Sequence, residues 1–190
     1  MSNCAPSRLN PGAPSSCRTA LTGTAPAVTI RPATAADVPV ILDFIRGLAE
    51  YERLPHQCIA TEARLHATLF GDRPAAEVLL AHLGSEPGGF ALFFHNYSTF
   101  LARPGIYLED LFVRPDHRGR GIGSVLLREL ARLAVARDCG RLEWSVLAWN
   151  TAAIGFYRKL GATALDDWTV FRLAGDALDD LAGSTGEEAG

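Results

Sequence analysis

Residues 114–124 read RPDHRGRGIGS, three glycines and three arginines in a run whose one bulky apolar side chain is Ile122. YLEDLFV (107–113) precedes the run and VLLRELARLAVA (125–136) follows it, so it joins a strand-like to a helix-like segment. Glycine lets backbone N–H groups approach a ligand closely and adopt positive φ. The helix that follows presents its free amides and positive dipole end to the same place. Arg118 and Arg120 add charge-assisted hydrogen bonds to any oxyanion there. The loop therefore predicts a phosphate-bearing ligand held by the amides of Gly119, Arg120, Gly121, Ile122, Gly123 and Ser124. A glycine-rich turn with incidental arginines is the plainer reading, and the loop by itself leaves both open.

Two nucleotide loops are excluded. A Walker loop needs Gly-Lys-Ser/Thr, which is absent. A dinucleotide fingerprint needs GxGxxG early in a βαβ unit, whereas Gly119-x-Gly121-x-Gly123 has another spacing and follows most of the sheet.

The pattern outward from the loop gives the fold class. AVTIRPAT (27–34) reads as a strand, and a helix entered at Thr34 or Asp37 sets Val40, Ile41, Phe44, Ile45 and Leu48 on one face. A second helix spans 61–71, opened by Thr61 and closed by Gly71. Residues 76–83 and 88–98 read as paired strands around the turn GSEPGG, and 105–114 as another strand. The long helix is expected over 124–137, ended by Cys139-Gly140. RLEWSVLAWN (141–150) alternates as a half-buried strand. Asn150 then caps a helix over 151–160, with Gly161 at its C-terminus, and DWTVFRLAG (167–175) supplies a last strand. The predicted order β-α-α-β-β-β-α-β-α-β is an α/β sheet of mixed direction in one domain, 27–182.

Composition narrows the function classes. With 190 residues, 48% of them hydrophobic, the chain suits one well-buried domain. A formal net charge of −3 argues against nucleic acid as partner. No apolar run reaches membrane-spanning length, so a soluble, cytoplasmic protein without a membrane partner is expected. Cys4, Cys17, Cys58 and Cys139 form neither a CxxC pair nor a His/Cys cluster, so no metal is expected and the thiols are read as reduced. Residues 1–26, rich in Ser, Ala, Pro, Gly and Thr and without an acid, read as a disordered tail, as do 183–190. For the first of these a transit peptide and an upstream extension from a misplaced start both stay open.

Three stretches together resemble a known family. Arg118-x-x-Gly121-x-Gly123 is similar to the coenzyme A pyrophosphate loop of the Gcn5-related N-acetyltransferases. IRPATAADVPVILDFIRGLAEYE (30–52), YLEDLFVRPDHRGRGIGS (107–124) and WNTAAIGFYRKLGA (149–162) resemble, in order and spacing, the spermidine/spermine (diamine) branch. The resemblance covers about residues 29–173. It implies a mostly antiparallel central sheet flanked by helices, acetyl-CoA as co-substrate and an amine as acceptor. It also implies a homodimer, to which the last strand with Trp168 and Phe171 can contribute.

The chemistry of amine acetylation assigns further roles. An alkylamine with a pKa near 10.4 is neutral in only about one molecule in a thousand at pH 7, so a base is useful. By resemblance, Glu109 acts on the amine as general base or through a water. Two acids inside the apolar run Leu-Glu-Asp-Leu-Phe-Val are costly unless they face a cavity, which supports that role for Glu109. Tyr157 is by resemblance the general acid toward the leaving thiolate; on the residues alone it reads as a core tyrosine. Strand backbone at Leu111, Phe112 and Val113 would bind the pantetheine arm, Asn150 would contact it too, and a strand amide would meet the oxyanion. Tyr51, Glu52, Glu109 and Asp110 are the substrate-binding candidates, with a solvated helix end the commoner meaning of Glu52.

One departure bears on the substrate. Polyamine-acting members carry Tyr-Asp-Pro-Trp where this chain has Tyr97-Ser98-Thr99-Phe100, and the region after Gly161 is shorter. Those changes resemble the sister type that acetylates thialysine and related small amino acids. The expected substrate is accordingly a thialysine-like amino acid or small diamine. A polyamine, a protein lysine or N-terminus, and an idle acetyl-CoA-binding sensor module are the alternatives.

Overall fold

The computed structural model describes residues 27–183. The expected tails lie outside these residues, except Gly183, which closes the last helix. The chain parts at Trp144/Ser145 into two compact units.

The first unit is built on a five-stranded sheet in the order β1 (Val28–Pro32), β2 (Glu77–Leu83), β3 (Glu86–Ser98), β4 (Arg103–Val113), β5 (Leu142–Trp144). The first three pairings are antiparallel and β4–β5 is parallel, the mixed but mostly antiparallel sheet expected. Three helices accompany it: α1 (Val38–Tyr51), α2 (Glu62–Phe70) and α3 (Ile122–Ala136).

Helix α1 forms where its apolar spacing predicts. A single 3-10 turn at Ala35–Asp37 precedes it, and the Asp37 carboxylate accepts from the Thr34 backbone N–H at 2.7 Å and from the Thr34 hydroxyl at 2.9 Å. The same carboxylate accepts two hydrogen bonds from the Arg31 guanidinium, at 2.7 and 2.8 Å, which hold it ionised far below the usual carboxylate range. Asp37→Ala is therefore expected to cost about 1–2 kcal/mol in urea unfolding at pH 7. A depressed acid stabilises the fold only while ionised, so the difference from the parent shrinks as the pH falls.

Ile41 and Phe44 of α1 are fully buried against Leu69, Val78, Leu80, Phe90 and Phe112. The Phe44 and Phe90 rings stack at 5.4 Å. A Cβ at Gly47 would lie 2.8 Å from Phe112 Cζ, so glycine there lets α1 settle directly on β4. Helix α3 adds a second buried set, Ile122, Leu126, Leu127 and Leu130.

The second unit contains α4 (Thr151–Lys159) and α5 (Asp176–Gly183). Asn150 caps α4 as predicted, its Oδ1 accepting from the Ala153 N–H at 3.2 Å, and Gly161 takes the left-handed φ of +87°.

Three expectations need correction. Residues 167–175 form no strand: a strand exists through its ladder, and this alternating stretch pairs with no strand among the described residues. A helix, α5, follows it instead. The strand expected over 141–150 is only Leu142–Trp144, because β4 offers it just Ile106, Tyr107 and Leu108 as partners. Helix α3 begins at Ile122 rather than Ser124, since Gly121, at φ +82°, serves as its N-cap. Asp138, at φ +55°, makes the turn-out after the same helix, a conformation Asp tolerates.

Candidate active site

The site residues of the first unit gather where β4 runs into the glycine loop and α1 ends. The β3–β4 register pairs Leu92 with Asp110 and Phe93 with Leu108, which leaves Glu109 opposite nothing. This bulge sets Glu109 and Asp110, adjacent in sequence, on the same side of the sheet, where strict alternation would send them to opposite sides. Pairing with β5 also stops at Leu108. From Glu109 to Val113 the edge of β4 away from β3 thus has no strand neighbour among the described residues. Backbone groups along that edge can take an extended ligand, the use expected of Leu111, Phe112 and Val113. The Phe112 side chain itself is buried in the core.

Three carboxylates share one electrostatic neighbourhood. Burial pushes Asp110 up to about 6, and the nearby charges of Glu109 and then Glu52 push in the same direction. Burial raises Glu52 as well. Glu109 is exposed, Asp110 half-buried. Glu52 is brought there by the end of α1, whose last turn its N–H closes on Leu48 O at 2.8 Å. A cluster that raises its own members' proton affinity is one that a cation would relieve.

The loop has the conformation the glycines implied. Gly119 and Gly121 stand at φ +75° and +82°, with open space where a Cβ would be, so the backbone angle is what demands glycine. The residues from Arg118 to Gly121 are exposed, and Ile122 anchors the helix start at 1% exposure. Open amides at a helix start, flanked by two arginines, fit a pyrophosphate.

Arg118 does more than line the loop. Its Nε donates to Val113 O at 3.1 Å, and its guanidinium lies 4.6 Å from the Tyr51 ring centroid and 5.8 Å from that of Phe112. It therefore joins the end of α1, the end of β4 and the loop. Arg114 makes a parallel tie to Asp43 of α1 at 2.7 Å.

Some of this escapes sequence reading. The bulge at Glu109 has no signal in the composition of β4. His117 is buried, its Nδ1 2.6 Å from where a Gly88 Cβ would stand, so it wedges the loop against β3. The pair Gly88-Gly89, costly inside a strand, was the available sign of such a close approach. Ser98 is also buried, and its Oγ accepts from the Leu101 N–H at 3.3 Å, closing the β3–β4 turn, while Phe100 is 96% exposed.

Asn150 and Tyr157 belong to the second unit. There Tyr157 is half-buried on α4, its ring 5.4 Å from that of Phe156. Among the described residues no group of three or more His, Cys, Asp and Glu is arranged to hold a metal ion, and no helix is long and apolar enough to cross a membrane.

Residues 45–162 match the family described as acetyltransferase (GNAT) family. The chain belongs to that family. GNAT enzymes use acetyl-CoA as co-substrate, and this chain is an N-acetyltransferase of that type. It is 41% identical over 167 residues to a thialysine N-epsilon-acetyltransferase from Bos taurus, covering 82% of this chain and 98% of the relative. An L-ornithine N5-acetyltransferase from Arabidopsis thaliana is 36% identical, over 80% of this chain and 86% of its own length. Among solved structures, an integron cassette protein from the mobile metagenome of V. cholerae superposes with a TM-score of 0.71 at 27% identity, covering 83% of this chain and 98% of that one. The GNAT fold expected from the three motifs is the fold observed.

Proposed function

We propose that the chain acetylates the side-chain amine of a small, lysine-like amino acid or diamine, with thialysine and ornithine as the first substrates to try. The observation that carries this reading is the Glu52–Glu109–Asp110 cluster at the bulge of β4, immediately before a loop shaped for a pyrophosphate. It is supported by the relatives named above and by Tyr97-Ser98-Thr99-Phe100, where a polycation would lack an acid at position 98. The acetyltransferase domain is assigned to 27–182. A cytoplasmic homodimer, common among family members, completes the reading.

Acetyl-CoA supplies the acyl thioester. Amides of Gly119, Arg120, Gly121, Ile122, Gly123 and Ser124, with the charges of Arg118 and Arg120, hold its pyrophosphate, and the backbone of Leu111, Phe112 and Val113 takes the pantetheine arm, with Asn150 as a further contact. Tyr51, Glu52 and Asp110 receive the cationic amine. Glu109 takes one proton from the ammonium, directly or through a water, and the neutral nitrogen then forms the bond to the acyl carbon. A backbone N–H on the open β4 edge meets the negative charge that develops on the acyl oxygen. Tyr157 gives its proton to the departing sulfur as the carbon–sulfur bond breaks; the nitrogen's second proton returns to Tyr157 by way of solvent, and Glu109 releases the first. The products are an amide, coenzyme A thiol and one proton.

The test is thiol release from acetyl-CoA with thialysine, ornithine, lysine, small diamines, spermidine and a lysine peptide. Turnover is expected chiefly on thialysine or ornithine. Turnover chiefly on spermidine would overturn the substrate assignment, and cofactor binding without turnover on any amine would make the chain an acetyl-CoA sensor.

A further inference from the structure

A second charged group faces the same side of the sheet as the cluster of Glu52, Glu109 and Asp110. Glu143 of β5 pairs in register with Tyr107, two residues before Glu109 on β4. Its side chain accepts from Asn96 Nδ2 at 2.8 Å and forms an ion pair with Arg141 Nε at 2.9 Å. Tyr107 lies against Phe94, their ring centroids 5.3 Å apart. Asn96, Phe94, Tyr107, Arg141 and Glu143 thus stand on one face, which the bulge at Glu109 continues into Glu109 and Asp110.

The arrangement depends on a missing side chain. A Cβ at Gly105 would lie 2.3 Å from Asn96 Oδ1 and 2.9 Å from Arg141 Cγ. Glycine inside a strand weakens it, and here it lets the arginine fold down beside the asparagine. The pair is still open to solvent, with 35% of the Arg141 and 27% of the Glu143 side chain exposed. A guanidinium has five N–H donors. Glu143 is ion-paired at Nε, and Tyr97 O accepts from one terminal nitrogen at a long 3.4 Å. Donors remain for the two-pronged grip on a carboxylate at which arginine excels.

An amine acceptor without a carboxylate has no use for such a cation, whereas an α-amino acid offers a carboxylate and an ammonium side by side. Strand geometry puts Glu143 about 6–7 Å along the strand direction and about 5 Å across from Glu109, so the two carboxylates can bracket the two amines of a lysine-sized molecule. Resting on the acetyltransferase reading given above, we infer that Arg141 binds the α-carboxylate and Glu143 the α-amino group of an amino-acid substrate whose far amine is presented to Glu109. The substrate class is thereby narrowed to diamino acids, and Arg141 and Glu143 are its specificity-determining residues.

The experiment compares thialysine with bis(2-aminoethyl) sulfide, the same chain without its carboxylate, on the full-length protein. The wild type is expected to favour thialysine at least tenfold in kcat/KM, and Arg141→Gln to reduce that preference by about 10- to 100-fold, mainly through KM for thialysine. Arg141→Lys, which keeps the charge but not the fork, is expected to restore part of it. Acetyl-CoA affinity, measured by calorimetry without amine, reports whether each variant is folded. Wild-type protein that handles the two compounds alike overturns the inference and leaves the acetyltransferase reading intact, even if no variant folds. An equal loss on both compounds in Arg141→Gln overturns it too, as the mark of a purely structural arginine. Turnover of neither compound, nor of any other amine, removes both readings together.

Discussion

Glu109→Gln is expected to lower kcat for the amine substrate about 100- to 1,000-fold at pH 7, the usual worth of a positioned base. The substitution keeps the side chain's size and its place on the bulge but removes the ability to take a proton. The size of the loss follows from the amine, which near pH 7 is protonated in all but about one molecule in a thousand. As the pH approaches 10, solvent delivers the neutral amine and the deficit should narrow. A pH–rate comparison of variant and parent decides the matter. If Glu109 only attracts the cation, KM rises while kcat at saturation is kept, and the deficit does not narrow with the neutral fraction of the amine.

The parts of this protein that sequence discloses are those governed by local rules. Glycine spacing announced two positive-φ positions before a helix, and the structure has them at Gly119 and Gly121. Apolar spacing found α1, and the end residues Thr61 and Asn150 found α2 and α4, because a helix face and a helix cap are each set by residues a few positions apart. Apart from the two-residue start of α3, the errors are non-local. Whether 167–175 becomes a strand depends on a partner that alternation cannot supply. That Glu109 stands unopposed depends on β3, since a bulge is a mismatch of two strands and neither alone carries its mark. The same holds for the three carboxylates: the acids of YLED are visible in sequence, and Glu52 as a candidate, but their coupling requires α1 to lie on β4, which Gly47 permits. Arg141 and Glu143 were invisible as a pair for this reason too, since strand alternation describes a face without saying what shares it.

Asp110→Asn is expected to make the protein more stable and less able to hold its substrate. In the native chain Asp110 binds its proton up to about pH 6, because it is buried and faces Glu109 and Glu52, while in the unfolded chain it ionises near 3.8. Between those values the native state holds more protons than the unfolded state, so stability falls as the pH rises through the interval and stays reduced above it. Asparagine carries no charge at any pH. The variant should therefore exceed the parent by on the order of 2 kcal/mol at pH 8 and match it only below about pH 3, where Asp110 is protonated in both states. Urea unfolding at the two pH values measures the difference, and an equal gain at both would place its origin in packing rather than charge. The cost falls on function: with one carboxylate fewer in the cluster, KM for a cationic amine should rise about tenfold while the affinity for acetyl-CoA is kept. Binding of the amine to the parent near pH 6 should correspondingly release a proton from Asp110, detectable as a buffer-dependent heat in calorimetry and absent in the variant. The repulsion among the three acids is the same interaction, with sign reversed, that a substrate ammonium gains on approaching them.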